Sequence, residues 1–120
     1  MAGADTTPRL WIKIYFGERG QLGPGKIRLL QAIDADRSIA AAARTMNMSY
    51  RRAWLLVDQM NQTFGQPVVA TRTGGSARGG AELTALGREI VARYLALLDQ
   101  AQGQSAEELA ELADLIQPDD

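Results

Sequence analysis

Apolar residues recur along the chain with two different periods, and the switches between them divide it into elements. From Leu10 to Phe16, Leu10, Ile12, Ile14 and Phe16 fall on one side and Trp11, Lys13 and Tyr15 on the other, which predicts a half-buried strand. GERGQLGPG reads as loop. Pro24-Gly25 then leads into a first helix in which Ile27, Leu30 and Ile33 recur at helical spacing with Leu29 beside them. Ser38 stands as a cap before the alanine-rich IAAAARTM, which predicts a short second helix that packs closely on a neighbour. Asn47 and Met48 predict a tight turn, and Ser49 is a second cap. It opens a helix to about Phe64 with Ala53, Leu56, Val57, Met60 and Phe64 on one face, ended by Gly65 in the left-handed position.

PVVATRT predicts a strand, GGSARGG a flexible loop and AELT a returning strand, together a hairpin with a glycine-rich tip. Thr84 caps a long helix in which Leu86, Ile90, Tyr94, Leu97, Leu98 and Ala101 form an apolar stripe longer than one small core needs. Such a stripe predicts a partner helix, with Ile90, Tyr94, Leu97, Leu98 and Ala101 as the dimerisation residues; the competing reading folds the last helix back over it in a monomer. Gly103 and Ser105 break the run before AEELAELADLI, an amphipathic helix with Leu109, Leu112 and Ile116 on one side.

The fold class expected is therefore α+β, mostly α: a winged helix-turn-helix with a β-hairpin wing and a long C-terminal dimerisation helix. Residues 1–9 read as a flexible N-terminus and 10–102 as the winged helix-turn-helix DNA-binding domain, with its dimerisation helix at about 84–102. Residues 103–120 read as an acidic C-terminal helix and tail.

Composition narrows the chemistry. A chain of 120 residues holds one ordinary domain, and it has neither cysteine nor histidine. Disulfides, thiolate metal sites, cysteine nucleophiles and histidine acid-base catalysis are excluded together, and no nucleophile-base pair suggests an enzyme. Asp34 and Asp36 read as flanking the first helix rather than ligating metal, and the P-loop pattern fails because Ile27 follows Lys26. MAGADTTPRL lacks the apolar core of a signal peptide, and no apolar run approaches the roughly 18 residues of a membrane span, so a cytoplasmic protein without membrane contact is expected. The net charge of −1 hides a split: residues 1–98 hold all 13 basic groups and seven acids, a net of +6, and from Asp99 onward there are seven acids and no base. A basic body suits a polyanion, and the acidic tail reads either as a solvated helix or as a surface for a protein partner.

A recognition helix entering a major groove about 12 Å wide needs polar and cationic groups in its first turns and an apolar face to hold it on the domain. The helix opening at Ser49 has both, and Ser49, Tyr50, Arg51 and Arg52 are its candidate contacts to phosphates and base edges of double-stranded DNA. Trp54, one turn on, either touches a sugar or thymine methyl or packs beneath the wing. Arg44 on the second helix is a candidate for the DNA backbone. Arg72 and Arg78 are candidates on the wing, Arg78 for the minor groove; the tip also reads as a disordered loop, or as a nest of amides that with the two arginines would hold a small oxyanion.

The run LGPGKIRLLQAIDADRSIAAAARTMNMSYRRAWLLVDQMNQTFG, followed by TGG and by LT opening a helix, resembles the N-terminal domain of the ModE family of molybdenum-responsive regulators. More distantly it is similar to LysR-type helix-turn-helix domains. The resemblance covers roughly residues 10–100 and implies a winged-helix homodimer held by the helix after the wing, with Ser49 to Arg52 facing operators of two-fold character. In that family the wing usually carries a lysine and a longer glycine run; here Ser76-Ala77-Arg78-Gly79-Gly80 stands in its place. Classical members also carry C-terminal oxyanion-binding domains that sense molybdate, and none is expected within the residues that end at Asp120. No cofactor is required; regulation without an effector, sensing through a partner, and a molybdate-type oxyanion effector bound near the basic loops all stay open. The expected function is a homodimeric, sequence-specific DNA-binding transcription regulator, with molybdenum-related genes as targets by analogy. Its rivals are a protein-interaction module on the same scaffold and a small oxyanion sensor.

Overall fold

A computed structural model describes residues 5–72 and 79–118. In chain order its elements are β1 (Ile14–Tyr15), a 3-10 turn (Gly17–Arg19), β2 (Gln21–Leu22), α1 (Pro24–Asp36), α2 (Ile39–Thr45), α3 (Tyr50–Phe64), β3 (Val69–Arg72), β4 (Gly80–Leu83), α4 (Ala85–Gln104) and α5 (Ala106–Asp114). The result is a winged helix-turn-helix: α1 packs against α2, α3, α4 and β4, and β3 and β4 form an antiparallel hairpin in the register Val69 to Leu83 through Arg72 to Gly80.

The helices form where the apolar period and the caps agree. Pro24 opens α1 where its missing N–H is no loss, and Ile27, Leu29, Leu30 and Ile33 are all buried. Ser38 Oγ accepts the Ala41 N–H at 3.1 Å, Ser49 Oγ that of Arg52 at 3.0 Å and Thr84 Oγ1 that of Gly87 at 3.1 Å. Each satisfies a donor that the helix itself leaves free. Gly65 closes α3 at φ +71, and Arg19 braces that end by donating to the carbonyls of Thr63 and Gln62, both at 3.0 Å. Gly87 lies so close to the chain entering the wing that a Cβ there would stand 2.2 Å from the Val68 carbonyl oxygen.

Three sequence expectations and one competing reading change. The strand from Leu10 to Phe16 shrinks to Ile14–Tyr15, because side chains of α4 take over hydrogen bonding of the backbone before it. Gln102 Oε1 accepts the Leu10 N–H at 2.8 Å, and the Tyr94 hydroxyl donates to the Ile12 carbonyl. The segment GERGQLGPG is not all loop: it contains the 3-10 turn and β2, which pairs antiparallel with β1. Helix α4 continues through Gly103 to Gln104, and the break falls at Ser105. Finally, α5 does not fold back over the α4 stripe. It buries no residue and leaves Leu112 exposed, and Leu115 and Ile116, exposed as well, lie beyond its end. The radius of gyration is accordingly 17.9 Å and the longest extent 61 Å, against about 14 Å for a compact chain of this length.

Candidate nucleic-acid interface

The helix-turn-helix angle is set by small residues. Ala42 and Ala43 of α2 and Ala53 of α3 are buried, which lets the two helices approach closely. The turn between them is held by Asn47 in the left-handed region at φ 56 and by the Met48 N–H, which donates to the Ala43 carbonyl at 2.9 Å. Helix α3 buries Ala53, Leu56, Val57, Met60 and Thr63, so its other side faces outward. Phe64, expected with that inner face, is only half-buried and stacks edge-on against Phe16 at 5.7 Å. Ser49, Arg51, Arg52, Trp54, Leu55 and Asp58 line an open cleft of about 540 Å³ along the outer side. Tyr50 is exposed and meets Trp54 edge to face, with ring centroids 6.4 Å apart.

A second, narrower groove of about 180 Å³ runs between α3 and the wing, with Tyr50 and Trp54 on one wall and Thr71, Arg72 and Gly80 on the other. Trp54 thus stands at the root of the wing, 36% exposed, and borders both clefts. The wing is fastened by a residue that sequence reasoning missed. Arg37 takes the left-handed conformation just after α1, its carbonyl accepts the Ala81 N–H at 3.0 Å, and its guanidinium pairs with Glu82 at 3.0 Å. The only local signal was its place after the last helical turn, where glycine is the usual choice. Arg72 is exposed at the end of β3. Arg44 is exposed in the last turn of α2 and lines neither cleft. Arg78 lies outside the described residues. Among the described residues Arg44, Arg51, Arg52 and Arg72 enter no ion pair.

The family model for bacterial regulatory helix-turn-helix proteins of the lysR family matches residues 25–88, just over half of the chain. The chain belongs to this family. Its LysR-type segment runs from the first turn of α1, through the helix-turn-helix and the wing, into the start of α4. Relatives agree with the ModE resemblance. The chain is 45% identical over 76 residues to a molybdenum transport protein, ModE, of Azotobacter vinelandii. It is 43% identical over 77 residues to a molybdenum-pterin-binding protein, MopB, of Rhodobacter capsulatus, and 35% identical over 88 residues to a DNA-binding transcriptional dual regulator, ModE, of Escherichia coli K12. These alignments cover 63%, 64% and 73% of this chain but only 28%, 28% and 33% of the relatives.

Beyond the LysR-type segment, the five residues expected at a dimer contact divide. Ile90 and Tyr94 are buried in the chain's own core, 6% and 2% exposed. Leu97 is exposed and Leu98 and Ala101 are half-buried, while Leu95, absent from the sequence expectation, is exposed beside them. Among the described residues no group of three His, Cys, Asp or Glu side chains is placed to hold a metal ion, and no helix is long and apolar enough to cross a membrane.

Proposed function

We propose that this LysR-type chain binds duplex DNA in a sequence-specific manner as a homodimer and regulates molybdenum-related genes. The observation that carries the reading is the outer side of α3, where Ser49, Arg51 and Arg52 are exposed on a capped, well-buried helix next to the wing. Tyr50, Trp54 and Arg72 continue that surface along the wing groove, and Arg44 adds a cation for the backbone. Arg78 belongs to the same proposal through its place in the wing tip. Leu95 and Leu97, with Leu98 and Ala101 at the margin, leave an apolar face on α4 that a second copy would cover. The molybdenum link rests on the relatives' names, two of which say molybdenum.

Selection of bound duplexes from a random pool tests this directly, with Arg51→Ala/Arg52→Ala in parallel. Enrichment of a two-fold-symmetric site by the native protein alone is the expected result; no enrichment at low salt refutes the reading. A second reading, a protein-interaction module, is favoured by α5 and the residues just after it, where Leu112, Leu115 and Ile116 are exposed in a stretch that also holds Glu107, Glu108, Glu111 and Asp114. Salt separates the two: contact with several phosphates weakens steeply between about 50 and 200 mM salt, and an apolar protein contact does not.

A further inference from the structure

On the opposite flank of α3 from Tyr50 and Trp54 lies another cleft, of about 420 Å³, between the β1–β2 hairpin, the start of α1 and α3. Arg52, Leu56 and Gln59 form its α3 wall, and at 100° per residue Arg52 stands about 200° around the helix from Tyr50. Three cations from three separate elements line it: Lys13 just before β1, Lys26 in the first turn of α1, and Arg52. No carboxylate lines it, and none of the three is in an ion pair among the described residues. Lys26 Nζ is tethered to the Gln21 carbonyl at 2.9 Å, so one of the charges is held in place. Burial, and then the charge of Lys13, lower the Lys26 pKa from the ordinary lysine value. Three like charges gathered in one concavity repel one another, and a bound anion turns that cost into attraction.

We infer that this cleft binds a tetrahedral oxyanion, and that its occupant is a backbone phosphate of the duplex. Arg52 decides between a duplex phosphate and a free oxyanion, because it lines both this cleft and the outer side of α3. A strand crossing the start of α3 would pass from the one to the other. The wing and the Lys13–Lys26 cleft then grip the backbone on opposite flanks of the recognition helix. This assignment of the occupant rests on the proposed DNA binding.

The test measures affinity for a 30-base-pair mixed-sequence duplex between about 50 and 200 mM salt. Native protein is compared with Lys13→Gln/Lys26→Gln and with Arg9→Gln, a cation that lines a different cleft, as control. The double variant is expected to flatten the dependence of log affinity on log salt by about one phosphate contact, with Arg9→Gln close to native. In a second arm, melting of the free protein is followed in inorganic phosphate, sulfate or molybdate at constant ionic strength. A flattened slope with no melting shift identifies the duplex phosphate; an unchanged slope with a shift in the native protein alone overturns that occupant in favour of a free oxyanion. An unchanged slope and no shift overturn the site, as does equal flattening by Arg9→Gln. If the double variant melts well below native, Lys13→Gln alone replaces it. If native protein binds no duplex, the DNA reading fails and the melting arm by itself decides the cleft.

Discussion

Arg51→Ala should raise stability slightly while lowering DNA affinity, and these opposite signs make it a sharp test of the recognition helix. Arg51 is the second residue of α3, beside Arg52, and the first turn contains no acid. The positive end of the helix dipole disfavours a cation there by about 0.3–1 kcal/mol, and alanine is the better helix former. Arg51 is exposed and enters no ion pair among the described residues, so nothing in the fold offsets that cost. If its guanidinium meets a base edge, losing it costs about 1–3 kcal/mol, a factor of roughly 5 to 150 in Kd. Fluorescence anisotropy on a selected operator, with urea melts of the same samples, measures both quantities. A Kd within about twofold of native would refute the assignment, and a clear loss of stability would show that Arg51 serves the fold instead.

Leu30→Ala, at a fully buried position of α1, should cost about 2–5 kcal/mol in urea unfolding. Ser49→Ala removes the α3 cap and should cost about 0.5–2 kcal/mol in the same assay. In Gly87→Ala the new methyl meets the Val68 carbonyl, so α4 must shift against the root of the wing at a cost of about 1–3 kcal/mol, read as a lowered Tm. The lowered pKa of Lys26 gives a pH dependence of defined sign. The unfolded chain holds that proton more tightly, so stability rises with pH from the lowered pKa up to the ordinary lysine value near 10.5. The Tm of native protein relative to Lys26→Met should therefore climb on the alkaline side, and a flat difference between pH 8 and about 10.5 would contradict it.

The elements legible in the sequence were those in which two local signals coincide. Ser38, Ser49 and Thr84 each carry a side-chain oxygen three residues before a free N–H and stand ahead of an apolar helical period, so a cap and a helix are predicted together. The hairpin was legible because the β-branched Val68, Val69 and Thr71 run into a glycine-rich stretch. The β1–β2 pair was not, since two-residue strands carry no period and the partners of the preceding backbone, Tyr94 and Gln102, lie more than 80 positions away. Arg37 escaped notice because a left-handed arginine is set by the wing it holds rather than by its neighbours. The α4 stripe misled in part, because one apolar period serves two environments. Its early turns, with Ile90 and Tyr94, complete the core of the domain, while in the later turns Leu97 is exposed and Leu98 and Ala101 are half-buried. Lys13 and Lys26 looked like a strand's solvent face and a failed P-loop, and only folding brings them to Arg52.

The same geometry explains how a chain of net charge −1 can present a basic surface. From Tyr94, whose hydroxyl bonds to Ile12 next to Lys13, the helical rise to Gln104 at the end of α4 is about 15 Å, and the acids of α5 follow only after it. That is about two Debye lengths at physiological salt, where the screening distance is about 8 Å, so screening leaves the tail little influence on the field at the Arg51 and Lys26 clefts. Deleting residues 106–120 removes six acids and moves the net charge from −1 to +5, and because α5 buries no residue the domain should keep its fold. Duplex affinity at 150 mM salt should then change by less than about twofold, provided sedimentation shows the same oligomeric state. At 10 mM salt, where the screening length grows to about 30 Å, the shortened chain should bind distinctly tighter. A tenfold gain already at 150 mM would mean that α5, from the same chain or a second copy, lies against the basic surface and competes with DNA for it.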